Sequence, residues 1–211
     1  MIKKLFRLVA VGLLAGPMAA HSALIPIGIG AFSGSQTVID YGPTQTFAPV
    51  DGVTIGGVLH NFSIGGNPSN DAVIDSGPGN TNNITVANIE GNTLGVLSLL
   101  FPTLQNRLGY GFAISVGGNV AAATIIELFD AANVSLGTLS FNGAPDPSFS
   151  GGFAGVERTI AFSRAEVTWN RNAALRFAFD NLQFERVPEP GTLALLGLGL
   201  AILAAARRRK E

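Results

Sequence analysis

Along the middle of the chain, apolar residues come in short runs, several of them alternating with polar ones, and the runs are separated by clusters of Gly, Asn, Pro and Ser. The segment Arg176-Phe-Ala-Phe-Asp-Asn-Leu-Gln-Phe-Glu shows the period of a strand. Phe177, Phe179 and Asn181 fall on one face, and Ala178, Asp180, Leu182 and Phe184 on the other. Neither face is purely apolar, which predicts a bulge or twist near Asp180. The same pattern gives candidate strands at 36–40, 53–64, 72–75, 84–89, 94–101, 110–116, 124–129, 135–141, 159–162, 165–169 and 175–184. Between them stand Gly65-Gly-Asn-Pro, Ser76-Gly-Pro-Gly-Asn, Gly117-Gly-Asn and Asn142-Gly-Ala-Pro-Asp-Pro, in which Gly and Asn tolerate positive φ and Pro presets its own. The one helical candidate, Val120 to Phe129, reads as a strand because Thr124-Ile-Ile is β-branched. Many short strands with regular turn signals predict an all-β fold, an antiparallel β-sandwich or jelly roll. Residues 28–35 read as a flexible lead-in and 66–83 as the longest loop.

The two ends break this pattern. Met1-Ile-Lys-Lys-Leu-Phe-Arg is basic, Leu8 to Gly16 is a short apolar run, and Pro17 to Ala23 supplies small residues after a helix breaker. That order is a secretory signal peptide, a signal helix over residues 1–23 cut after Ser22 or Ala23. The run is too short to span a bilayer, which takes ~20 residues. At the other end, Gly191 to Ala206 is apolar without a charge or a polar face, and Arg207, Arg208, Arg209 and Lys210 follow at once. At ~1.5 Å per residue it reaches ~24 Å, a single transmembrane helix somewhat shorter than the hydrocarbon core. The basic cluster keeps that end in the cytoplasm, so the preceding domain faces outward, in agreement with the N-terminal signal. Val187-Pro188-Glu189-Pro190 stands directly before the helix. Each proline fixes its own φ and pushes the residue before it toward extended geometry. The result is a stiff tetrapeptide with one carboxylate, a shape suited to a processing enzyme at the bilayer and equally to a rigid linker ahead of a permanent anchor. The organisation is therefore a signal peptide (1–23), a β domain (24–186) and a sorting tail (187–211).

Charge sharpens the picture of the domain. Between residues 24 and 187 there are twelve carboxylates against six arginines, a formal charge of −6, and no lysine. Such a domain has no electrostatic case for nucleic acid. The absence of cysteine removes disulfides, thiolate metal sites and a cysteine nucleophile together. Only His21 and His60 are present, and His21 lies in the segment to be removed, so a zinc site is not expected.

Pro-Glu-Pro, an apolar helix and an Arg-rich end, in that order at the extreme C-terminus, resemble the tail of PEP-CTERM proteins. The resemblance runs from Val187 to Lys210 and shows no departure from the pattern. It implies a bacterial precursor held in the inner membrane and processed by exosortase, a multi-pass membrane enzyme, after export through the general secretion machinery and signal peptidase. The destination it implies is the cell surface or the extracellular matrix. The middle also resembles β-sandwich domains common in PEP-CTERM proteins, on Phe101-Pro-Thr-Leu, Gly109-Tyr-Gly-Phe, Ile126-Glu-Leu-Phe-Asp, Leu136-Gly-Thr-Leu-Ser-Phe, Phe153-Ala-Gly-Val and Phe179-Asp-Asn-Leu-Gln-Phe. That likeness implies a jelly roll similar to carbohydrate-binding modules and no activity.

Chemistry is sparse. There is no Gly-x-Ser-x-Gly elbow and no phosphate-cradling loop. A Ser-His-Asp triad would have to use His60, which sits in an apolar strand as a satisfied core histidine would. Carboxylates for glycoside hydrolysis are available at Asp71, Asp75, Glu127, Asp130, Glu157, Glu166 and Asp180, but nothing in the sequence pairs them. Asp71, Asp75 and Asp180 are the candidate calcium ligands; the bland alternative for Asp180-Asn181 is a pair capping a strand or turn. No other cofactor is expected. Trp169, beside Asn170-Arg171-Asn172, is the candidate glycan contact, against the alternative that it seals the core. The expectation is an exported non-enzymatic surface or extracellular-matrix protein. The alternative is a lectin-like carbohydrate-binding module, with or without calcium. The partners expected are exosortase and extracellular polysaccharide.

Overall fold

The computed structural model describes residues 23–187, leaving out Pro43, Gln45 and Val86. The signal helix, the transmembrane helix, Pro188–Pro190 and Arg207–Lys210 lie outside these residues. Among the described residues there is no α-helix, only a 3-10 turn at Ile29–Ala31, and no helix long and apolar enough to cross a membrane. The strands are β1 (Ile25–Pro26), β2 (Thr37–Ile39), β3 (Val53–Ile55), β4 (Val58–Ile64), β5 (Asn67–Pro68), β6 (Val73–Asp75), β7 (Asn88–Asn92), β8 (Gly95–Ile114), β9 (Val120–Phe129), β10 (Ser135–Pro145), β11 (Ser150–Trp169) and β12 (Arg176–Glu185). Every pairing is antiparallel.

The spine is the pair β8 and β11, matched from Leu97 opposite Val167 to Ile114 opposite Ser150. Register shifts around Phe162 divide it in two. On one side of the shift, the first half of β8 also pairs with β4 and the second half of β11 with β9. This makes a layer in the order β3-β4-β8-β11-β9-β10. On the other side, the second half of β8 pairs with β12 and the first half of β11 with β1. This makes a second layer, β6-β7-β12-β8-β11-β1, with β2 on the far end of β12. Such shifts bend a strand and let it pass from one sheet to the other.

The layers face each other through aromatic side chains. Phe62 of β4 meets Phe177 of β12 at 6.0 Å between ring centres, and Phe101 meets Phe184 at 5.0 Å. The Tyr110 hydroxyl and Thr124 Oγ1 are hydrogen-bonded at 2.8 Å across the interior. Along β11, Ala165, Val167 and Trp169 are buried while Arg164, Glu166 and Thr168 are not, the period of two expected of a sheet with one face on a core. The bulge expected near Asp180 is present: the β12–β8 register shifts between Asp180 and Gln183, and Asn181 has φ of 50°.

Three expectations are corrected. The run 53–64 is a hairpin, turned at Gly56-Gly57, both with positive φ. The pairs 94–101 with 110–116 and 159–162 with 165–169 lie within single long strands, because a bend, rather than a turn, separates their halves. Residues 84–89 lie mostly ahead of β7, in a loop that crosses the second layer and packs Ile84 on Ala113 and Ala178.

Candidate functional site

The chain leaves the domain at the end of β12, and that junction is built around Arg107. Its guanidinium donates to Glu185 Oε1 at 2.7 Å and to the Ala31 carbonyl at 2.7 Å, and pairs with Glu157 at 3.1 Å. The other Glu185 oxygen accepts from the Ser33 hydroxyl at 2.5 Å and the Ser33 amide at 3.2 Å. Burial pushes the Glu185 carboxyl up, but the Ser33 hydrogen bonds and Arg107 outweigh it and hold the group below its ordinary range. The Glu157 carboxylate, with Glu185 behind it, holds Arg107 firmly charged. Ala31 and Ser33 belong to the segment expected to be a flexible lead-in; the clamp fixes it instead. Because β1 pairs with Val156 and Glu157, both ends of the domain emerge beside the same arginine. A cleft of about 330 Å³ opens next to it, lined by Thr37, Thr103, Gln105 and Arg186 among others. No sequence signal marked Arg107, Glu157 and Glu185 as a group, since they are far apart in the chain and meet only through sheet register.

Among the residues singled out by sequence, Val187 is half-buried at the end of the described chain. Trp169 is a correction: it is 4 % exposed and stacks on Phe177 with ring centres 3.4 Å apart and planes 7° from parallel. Stacked on Phe177 and almost wholly buried, it is no open platform for a sugar and reaches the surface only where it lines a groove with Leu94 and Asn170. The calcium set is not brought together. Asp71 is paired with Arg176 at 2.8 Å, Asp75 accepts from the Ser76 amide, and buried Asp180 accepts from the Thr85 amide at 2.7 Å and its own neighbour Asn181 at 2.6 Å. Among the described residues, no group of three His, Cys, Asp or Glu gathers to hold a metal. Asp180-Asn181 thus pins the bulge and the crossing loop, with Asn181 Nδ2 donating to the Asn83 carbonyl at 2.8 Å.

His60 is fully buried. Its Nδ1 donates to the Val58 carbonyl at 2.9 Å, which leaves Nε2 to accept from the Tyr41 hydroxyl at 3.0 Å. Burial lowers its pKa to about 4, the Val58 contact notwithstanding, so the ring is neutral and structurally engaged. Glu127 and Glu166, which nothing in the sequence pairs, stand directly opposite each other on β9 and β11.

The segment beyond β12 decides the family. The PEP-CTERM protein-sorting motif matches residues 186–210, starting one residue after the last strand ends. By that tail it is a PEP-CTERM protein. The motif marks a PEP-CTERM precursor as exported, membrane-anchored and destined for the surface. No curated protein matches the chain. Among solved structures, a family 29 carbohydrate-binding module overlaps it at 13% identity, over 71% of this chain and 87% of that one, with a TM-score of 0.40. A mutant of such a module complexed with cellulohexaose overlaps at 13% identity, over 71% and 89%, also at 0.40. Overlaps this loose assign nothing to the β domain.

Proposed function

We propose that this is an exported, non-enzymatic protein of the cell surface or extracellular matrix, delivered by two successive processing steps. Signal peptidase removes residues 1–23 after passage through the general secretion machinery. Residues 191–206 then hold the precursor in the inner membrane until exosortase acts near Val187–Pro190. The observation that carries this reading is the sorting motif at 186–210, set one residue beyond the end of β12. The Arg107 clamp supports it, because a folded end fixed by Glu185 and Ser33 presents the motif without a floppy intervening linker. A non-catalytic role is supported by His60, closed off between Val58 and Tyr41, and by Asp71 and Asp180, engaged in structural bonds. Replacing Pro188, Glu189 and Pro190 by alanine tests the sorting step. Export should continue while the tail stays attached and the protein collects in the inner membrane; unchanged processing and release would sink the reading.

The second reading is a lectin-like module on a jelly-roll type of sandwich. One observation favours it, the polar outer face of the first layer.

A further inference from the structure

The registers of the first layer line up one hydrogen-bonding side chain from each of five strands. Asn61 stands opposite Ser98, Ser98 opposite Glu166, Glu166 opposite Glu127 and Glu127 opposite Thr138. None of the five is buried, while their strand neighbours His60, Leu97, Val167 and Ile126 fill the core. At ~4.8 Å between strands, the row is ~19 Å long and runs straight across the sheet. Its two central carboxylates are direct cross-strand neighbours, a like-charge placement that weakens a sheet by roughly 0.2–1 kcal/mol. Arg164 bonds Glu166 and lies 3.6 Å over the Phe129 ring, and the Ser135 hydroxyl donates to one Glu127 oxygen at 2.5 Å. The second oxygen of each carboxylate accepts no hydrogen bond from a described residue. Beside the row lies a groove of about 460 Å³, lined by Leu94, Val96, Ile125, Trp169, Asn170 and Arg171 among others. It sits where β12 begins, a strand's length of ~30 Å from the end that carries the tail.

We propose that this face binds an extended neutral polysaccharide. Hydroxyls of successive sugars donate to the free oxygens of Glu127 and Glu166 and pair with Asn61, Ser98 and Thr138, while the groove takes the apolar side of a flanking unit. Ionised acceptors make the stronger kind of hydrogen bond, which explains why two carboxylates stay side by side at a cost to the sheet. Charge disfavours an acidic polymer: the two carboxylates stand with Arg164, already paired, and Arg171 in the groove lining, within a domain of −6. The inference deepens the lectin-like reading of this same face, and rests on the sorting reading only in placing the domain outside the cell.

The test uses protein recovered from producing cells, run on native gels cast with the neutral or the acidic fraction of those cells' own extracellular polysaccharide. The neutral fraction should retard it and the acidic fraction should not. Glu127→Ala together with Glu166→Ala should weaken retardation about tenfold or more, while Asp146→Asn, a charge change elsewhere, leaves it unchanged. The double variant should melt at or above the parent's temperature. If it does not fold, Glu127→Gln, which keeps the side chain's shape, should still lower retardation at least threefold. No retardation by the neutral fraction, retardation by the acidic fraction alone, or full retardation of a folded double variant overturns the proposal. Precursor solubilised in detergent with its tail uncut can be run on the same gels, so failure of the sorting reading leaves this result intact.

Discussion

Acid should loosen this fold through one residue. His60 is fully buried with both ring nitrogens engaged, and its pKa falls from an ordinary 6.5 to about 4. In the unfolded chain it takes up a proton at the ordinary value. Between these two values the unfolded state binds more protons, so stability is fully present above 6.5 and is lost as pH falls toward 4. A depression of this size corresponds to roughly 3 kcal/mol, most of it gone by about pH 4.5. With a urea slope of about 2 kcal/mol/M for a domain of this size, the unfolding midpoint should drop by about 1 M or more. The raised carboxyl of Asp180, buried beneath its Thr85 and Asn181 contacts, works in the opposite direction and offsets part of the loss. The comparison that isolates His60 is therefore parent against His60→Gln, each unfolded in urea at pH 7.5 and pH 4.5. The variant loses stability at both pH values because the Tyr41 and Val58 contacts are disturbed, but its loss between them should be smaller than the parent's by about 2–3 kcal/mol. Equal pH dependence in the two proteins would refute the reasoning.

Other substitutions probe the clamp, the core and the crossing loop. Arg107→Met leaves buried Glu185 without its cation and should cost about 2 kcal/mol, a figure reduced from that of fully buried pairs because Arg107 and Glu157 are partly exposed; limited proteolysis should then cut residues 24–35 first. Trp169→Ala should cost about 3–5 kcal/mol as a core deletion, seen as a fall in melting temperature. Gly111→Ala would drive a Cβ into the Asn83 carbonyl, displacing the crossing loop at a cost of about 1–3 kcal/mol or more, with faster hydrogen exchange across 82–87.

The class of fold was legible because alternation and turn chemistry are local. The ten-residue pattern of β12 gave its faces and even its bulge, since Asp180 interrupts an apolar row. The length of β8 and β11 was not legible. Residues 102–109 and 150–158 fell outside the candidate strands, and the glycines there make room for rings or backbone: an added Cβ at Gly109 would run into the Phe153 ring, and one at Gly155 would lie 2.5 Å from the Ile27 carbonyl. Trp169 beside a polar turn looks the same in sequence whether its ring faces solvent or a phenylalanine; parity with Val167 favours the core, and the stack on Phe177 shows why. Glu127 and Glu166 could not be paired without register, which is set by contacts far along the chain. The sorting motif, by contrast, is a contiguous signal and was readable from the sequence.

The fate of that tail bears most directly on how this protein reaches the surface. It is measured by the intact mass and C-terminal peptide of the protein recovered from the outside of its cells, with and without the exosortase gene. Sorting by exosortase predicts a chain ending at or near 187–190 when the enzyme is present, and a membrane-retained chain still carrying 191–211 when it is absent. Surface protein that keeps residues 191–211 in the presence of exosortase would contradict it.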